Sequence, residues 1–225
     1  MNYYDIHKHH NALYSEDNAI ISVDIRKPFV PCAFWYSVGV HPWFIDFNDT
    51  ETTDRLFKKV RKYAQLPAVV AIGETGLDKM TAITTDEYQF QQALFTSHAH
   101  LAEEVKKPLI IHCVRAWNEL IRIHQTVSPT MPLVVHGFRG KEQLASRLLN
   151  AGLYLSFGMH YSIDSLNIAW ENNRLLIETD DNQISIKDVY HKIADDLTIS
   201  EQTLSDEIEN IFVGMNIRNA KTDQD

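Results

Sequence analysis

Two histidines one residue apart open the chemistry of this chain. In Asp5-Ile6-His7-Lys8-His9 the alternation of a β-strand puts Asp5, His7 and His9 on one face, so two imidazoles converge on one point. Four further ligand candidates follow short apolar runs: Ala68–Ile72 leads into Gly73-Glu74, Leu109–Ile111 into His112, Leu133–Val135 into His136, and Leu175–Ile177 into Glu178-Thr179-Asp180. A single histidine after a strand is more often a hydrogen-bonded structural residue, but six candidate ligands at recurrent strand ends form a set. Imidazole with carboxylate suits divalent metals, and leaves magnesium, manganese and zinc all open. Four histidines with Glu74 and Asp180 exceed what one tetrahedral ion needs. Two ions, spaced on the order of 3.5–4 Å with a water or hydroxide between them, are therefore expected. They must share a ligand, and a carboxylate can bridge, which favours Glu74. Asp180 is the candidate base, since a metal-bound carboxylate within reach of the water can take its proton.

Such a set needs a scaffold that brings strand ends together. Runs at residues 5–9, Ile20–Val23, Ala33–Val38, Ala68–Ile72, Leu109–Ile111, Leu133–Val135, Leu153–Phe157 and Leu175–Ile177 give eight candidate strands. Helical periodicity lies between or after the later ones, at Leu56/Val60/Tyr63/Ala64, Leu94/His98/Leu101/Val105, Leu144/Leu148/Ala151, Ile186/Val189/Tyr190/Ile193 and Leu204/Ile208/Ile211/Phe212. Thr84-Thr85-Asp86-Glu87 reads as a capping box, Pro108 as a stop and Gly152 as a helix terminator. The expected fold is an α/β TIM-like (β/α) barrel, whose strand ends meet at one mouth. Only about ten residues part the first three strands, where a helical crossover usually takes a dozen or more. The first third is thus expected to have shortened or missing helices.

With 225 residues and 44% hydrophobic content, one barrel domain over residues 1–220 with a loose tail at 221–225 is expected. The formal net charge of -9 argues against a broad basic surface, so a nucleic-acid substrate would be gripped by local cations and bound metal. No basic start with an apolar stretch and no membrane-length run is present, which predicts a cytoplasmic chain without membrane association. Nothing points to an obligate protein partner. Cys32 and Cys113 are too few for a disulfide framework; Cys113 is expected to be a buried free thiol.

Seven blocks in order give the chain a family likeness: Asp5-Ile-His7-Lys-His9, VGVHPW (residues 38–43), AIGETGLD (71–78), PLIIHCVRA (108–116), VVHGFRG (134–140), LLIETD (175–180) and NIRNA (216–220). The chain resembles the TatD-like metal-dependent hydrolases, within the wider amidohydrolase group of barrels. The resemblance implies a barrel phosphoesterase, typically a 3'-5' deoxyribonuclease trimming single-stranded DNA. It implies His7, His9, Glu74 and Asp180 around one ion, and Glu74, His112 and His136 around the other. His41 matches a family position near the substrate phosphate. Arg115 and Arg139 are candidates to clamp phosphate oxygens, with loop-bracing salt bridges as the alternative. Trp43 and Trp117 are candidates for base stacking, with packing the favoured role. Asp5 and Asp78 are read as acceptors that orient ligands or loops, and His10, His98, His100, His124, His160 and His191 as structural or surface residues.

The chain departs from the family at three places: His10-Asn11 follow the second histidine, Arg115 stands three residues after His112 rather than two, and Asp181-Asn182 follow ETD in place of a proline. Two alternatives stay open: the same metals hydrolysing a small amide, lactone or phosphoester, and a non-catalytic metal-holding interaction module.

Overall fold

The computed structural model describes residues 1–9, 18–32 and 34–217. Its strands are β1 (Tyr4–His9), β2 (Asn18–Val23), β3 (Trp35–Val38), β4 (Val69–Asp78), β5 (Leu109–Val114), β6 (Leu133–Val135), β7 (Tyr154–Phe157) and β8 (Leu175–Ile177). They pair in sequence order, every neighbour parallel. The circle closes where β1 meets the residues after β8: a bridge joins Lys8 to Asp180, His9 N–H donates to the Asp180 carbonyl and Asp180 N–H to the His7 carbonyl, both at 3.0 Å. Leu, Ile and Val dominate the strands because both faces are covered, giving near-continuous apolar runs.

The helices are α1 (Thr50–Tyr63), α2 (Thr85–Val105), α3 (Trp117–Val127), α4 (Glu142–Asn150), α5 (Ile163–Glu171), α6 (Ile186–Leu197) and α7 (Glu201–Gly214), with a 3-10 turn at Pro42–Phe44. The capping box at Thr84 and Glu87 is present in full. Gly152, at φ 94°, ends α4 by allowing Leu153 N–H to reach the Leu148 carbonyl. Among the described residues no helix is long and apolar enough to cross a membrane.

The early wall is trimmed as expected. No helix lies between β2 and β3 among the described residues; Phe29 packs edge-on against Tyr36 and against Tyr63 of α1 instead. From the far end of the chain α7 returns to the same wall, setting Phe212 against Tyr4 and Trp35. The β1–β2 connection with His10 and Asn11, the start of the predicted third strand at Ala33, the end of the NIRNA block and the tail at 221–225 lie outside the described residues.

Two boundaries differ from the sequence reading in a way that matters for the site. β4 does not stop at Ile72 but runs on to Asp78, and β5 runs on to Val114, so Glu74 and His112 lie inside strands rather than past their ends. Continuation past residue 72 needs a register shift in the β4–β5 pairing, and glycine makes it feasible. Gly73 holds φ 137°, where a Cβ would stand 2.5 Å from the Ile110 carbonyl oxygen. Gly76, at φ 151°, likewise lies against the backbone of His112.

Candidate metal centre

His7 and His9 leave the same face of β1 as expected, and their Nε2 atoms meet two carboxylates. From His7 Nε2 the distances are 3.4 Å to Glu74 Oε2 and 3.7 Å to Asp180 Oδ1; from His9 Nε2 they are 3.7 Å and 3.4 Å to the same oxygens. These are long for hydrogen bonds but near the separation of about 3.4 Å between ligands placed about 2.1 Å from a shared tetrahedral cation. His7 is fully buried, and neither of its ring nitrogens has a hydrogen-bond partner. A buried imidazole without partners is costly unless something else satisfies it. The donor set therefore fits a divalent ion.

The other oxygen of Glu74 faces a second set. Oε1 lies 2.8 Å from His136 Nε2, 3.0 Å from His41 Nε2 and 3.1 Å from His112 Nδ1. Glu74, at 6% exposure, thus divides its two oxygens between two groups of imidazoles. Around it, three ligand triads have donor atoms close enough to hold an ion: His7/His136/Asp180, His7/His9/Glu74 and His41/Glu74/His112. His41, expected as a substrate contact, stands in one of these triads and also faces the cavity above them.

The electrostatics follow from this crowding. Burial alone would raise the Glu74 carboxyl, but the charge of His136 and hydrogen bonds from His112, His136 and His41 hold it well below the usual range. Burial likewise opposes charge on His136, yet Glu74 on one side and Glu178 on the other push it well above an ordinary histidine. Asp180 is drawn down against its burial by His9, His7 and His136, while burial lowers His41 more than Glu74 raises it.

Buried polar residues brace this arrangement. Asp5 accepts from Thr179 N–H at 3.1 Å and from its hydroxyl at 2.6 Å, tying β1 to the chain after β8; burial pushes Asp5 up to about 7. Asp78 meets His112 Nε2 at 3.3 Å and accepts from the Trp43 indole at 2.9 Å. Both aspartates act as the sequence suggests. Two further supports, Glu178 and Gln91, are not expected from the sequence, and His98 fills the structural role it was given there. Glu178 lies 3.5 Å from His136 Nδ1 and shares the alternation of Asp180, which is the signal that points to it. Gln91, buried on the apolar stripe of α2, accepts from Asp78 N–H at 2.7 Å. His98, on the same stripe, accepts from Val40 N–H through Nε2 at 3.1 Å and donates through Nδ1 to the Leu94 carbonyl at 2.8 Å, which fixes the segment carrying His41.

A cavity of about 660 Å³ opens over Glu74 and Asp180 and is walled on one side by Asp24, Arg26, Lys27 and Phe44 of the trimmed region. Neither predicted phosphate clamp lines it. Arg115 is exposed at φ 55°, and Arg139 borders a separate depression with Lys141, Glu142 and His160. Trp117 packs on Phe138 as expected of a packing residue, whereas Trp43 is 66% exposed, so its indole is not packed away. Cys32 and Cys113 are free thiols, Cys113 half-buried. Outside the site, His124 bonds the Ala151 carbonyl and His191 the Glu201 carboxylate, while His100 and His160 are exposed.

Comparison with known proteins agrees with this architecture. The sequence profile of the TatD related DNase family matches residues 16–213. An uncharacterized metal-dependent hydrolase of Buchnera aphidicola (subsp. Baizongia pistaciae) is 35% identical over 156 residues, 66% of this chain and 56% of its own. The 3'-5' ssDNA/RNA exonuclease TatD of Enterobacter lignolyticus is 30% identical over 154 residues, 65% of this chain and 57% of its own. The alignments thus span little more than half the length of these curated relatives. In fold, the crystal structures of the TatD homolog YJJV from Escherichia coli and of a TatD family hydrolase from Entamoeba histolytica each superpose with TM-score 0.70 at 19% identity. The first covers 88% of this chain and 85% of the other, the second 96% and 98%. By the extent of the profile match, which takes in all the strands but the first, this chain belongs to the TatD related DNase family.

Proposed function

We propose that this chain, over residues 1–220, is a metal-dependent hydrolase of phosphodiester bonds in single-stranded nucleic acid, DNA first, working from a 3' end through two divalent ions. The observation that carries the reading is the division of Glu74, with Oε2 toward His7 and His9 and Oε1 toward His112 and His136. A carboxylate so placed is suited to bridge. His7, His9, Glu74 and Asp180 would hold one ion, and Glu74, His112 and His136 the other; magnesium, manganese and zinc all suit these donors.

Divalent ions bound there would supply an acidified water and neutralise charge on the phosphate. The protein's residues do the rest. Asp180, locked by backbone bonds on both sides, presents its carboxylate beside His7 and His9, where it can accept the proton of the attacking water. The low affinity of Asp180 for protons keeps it ionised and ready at neutral pH. His41, held by its Nδ1 accepting from Trp43 N–H at 3.0 Å, turns Nε2 into the site at the edge of the cavity. The two named relatives, one a metal-dependent hydrolase and one a 3'-5' exonuclease of ssDNA and RNA, support the reading.

The test is digestion of end-labelled single-stranded DNA and RNA by protein loaded with magnesium, manganese or zinc. A ladder shortening from the 3' end, reduced about 10²- to 10⁴-fold in Asp180→Asn, is expected. No cleavage of either polymer by protein shown to hold metal would overturn the nuclease reading and direct the search to small amide, lactone and phosphoester substrates.

A further inference from the structure

The cations that reach the cavity come from a part of the chain no motif covers. Where a helical crossover would stand, the loop after β2 turns inward and lines the same cavity as Glu74 and Asp180. Its Arg26 is fixed before any ligand arrives. Nε donates to Asp24 Oδ1 at 2.9 Å and Nη2 to Asp24 Oδ2 at 3.0 Å, a two-pronged bond, and the guanidinium lies 3.7 Å above the ring centre of Phe44. Phe44 in turn belongs to the 3-10 turn that follows His41, so Arg26 is tied to the segment that enters the metal centre. Among the described residues its Nη1 has no partner, and just over half of the side chain remains accessible. Lys27 lines the cavity beside it, its ammonium 3.4 Å from Asp24. The arginines nominated by the family blocks, Arg115 and Arg139, lie outside this cavity.

We propose that Arg26 is a phosphate-binding residue of this chain, holding a backbone phosphate of the nucleic-acid strand next to the one being cleaved. The assignment rests on the nuclease reading above and deepens it. A fixed guanidinium loses little freedom on binding and offers a planar edge to phosphate oxygens, so a compact acidic protein can grip a polyanion locally. The loop gives the trimmed barrel its own substrate wall.

The experiment compares manganese-loaded wild type with Arg26→Ala, Arg26→Lys and Lys58→Ala on a fluorescent oligothymidylate, following kcat and KM across a series of salt concentrations. Thermal midpoints confirm that each variant is folded. Lys58 is exposed on α1 and removes the same charge elsewhere. For Arg26→Ala the expectation is KM raised about tenfold with kcat within about threefold of wild type. The slope of log KM against log salt should also fall by about 0.7, the value for one phosphate contact on a single strand. Arg26→Lys should keep the slope with an intermediate KM, and Lys58→Ala should match wild type. Cleavage by wild type with Arg26→Ala unchanged in KM and slope, or with Lys58→Ala equally impaired, overturns the assignment alone. A wild type that cleaves no oligonucleotide overturns the nuclease reading, and the assignment falls with it.

Discussion

Substituting Gly39 by alanine tests whether the cradle around Glu74 is as rigid as its packing implies. A Cβ on residue 39 would stand 2.5 Å from the Glu74 carbonyl oxygen and 2.9 Å from the carbonyl carbons of Glu74 and Gly73. Ordinary contact begins near 3.4 Å, so the methyl arrives roughly 0.9 Å too close to atoms that are backbone and cannot rotate away. The relief available is movement of β3 from β4 at residue 74. Overpacking of this kind costs about 1–3 kcal/mol, which for a chain of this size lowers the melting temperature by about 2–12 °C. The displacement is carried to Glu74, whose oxygens serve five imidazoles within 3.7 Å, and a shift near 1 Å can cost about 10²-fold in turnover. The measurements are calorimetry, bound-metal content and oligonucleotide cleavage, with Gly214→Ala as comparator. Gly214 ends α7 with nothing within 4 Å of its would-be Cβ, so alanine there is expected to stabilise by about 0.5–1 kcal/mol. A Gly39→Ala protein with wild-type melting and turnover would refute the claim that β3 and β4 hold Glu74 in a fixed place.

His98 should make stability depend on acid. Burial pushes this imidazole down to about 4 from its ordinary 6.5, so between these values the unfolded chain holds a proton that the folded chain refuses, and stability falls as pH falls. Relative to pH 8, the loss is expected to be about 1 kcal/mol at pH 5.5 and about 2–3 kcal/mol at pH 4.5; in urea titrations a His98→Gln variant should lack this component, and a parallel pH profile would count against the assignment. Stripping divalent ions with a chelator should lower the melting temperature, and manganese at a hundredfold excess over its dissociation constant should restore about 2.7 kcal/mol, or about 5–10 °C; an unchanged curve would mean that His7 has another way to satisfy its ring. Thr84→Ala should cost about 1 kcal/mol by removing one half of the α2 capping box, and an unaltered denaturation midpoint would argue against it.

Much of the site can be read from the chain because strand alternation is local. The i, i+2 spacing of His7 and His9 is enough to aim both at one point, and His136 and Asp180 do follow β6 and β8. The capping box at Thr84 is legible for the same reason: both partners lie within four residues. What escapes the sequence is set by neighbours distant along it. Gly73 and Gly76 look like the end of a strand, yet they are the means by which β4 lies close against β5 and carries Glu74 in its middle. The sequence carries no expectation of helices α3 and α5; both begin without a side-chain cap, as does α4, which its periodicity reveals. Arg115 and Arg139 come from the family blocks, but neither lines the cavity over Glu74 and Asp180, and no local rule reports on that. Arg26, in the stretch between β2 and β3 where the described residues form no helix, meets Phe44 beyond β3, and no local spacing announces that contact.

The seam between β1 and the residues after β8 orders events during synthesis. Asp180 is hydrogen-bonded on both sides to the backbone of His7 and His9, and Thr179 is bonded to Asp5, so one edge of the earliest strand pairs with β2 while the other waits for a partner about 170 residues later. Until that partner leaves the ribosome, the first two histidines have no carboxylate from Asp180 beside them and the barrel has an open edge. A chain that ended before residue 179 would leave the outer edge of β1 without these bonds, an exposed strand edge rather than a slightly loosened barrel.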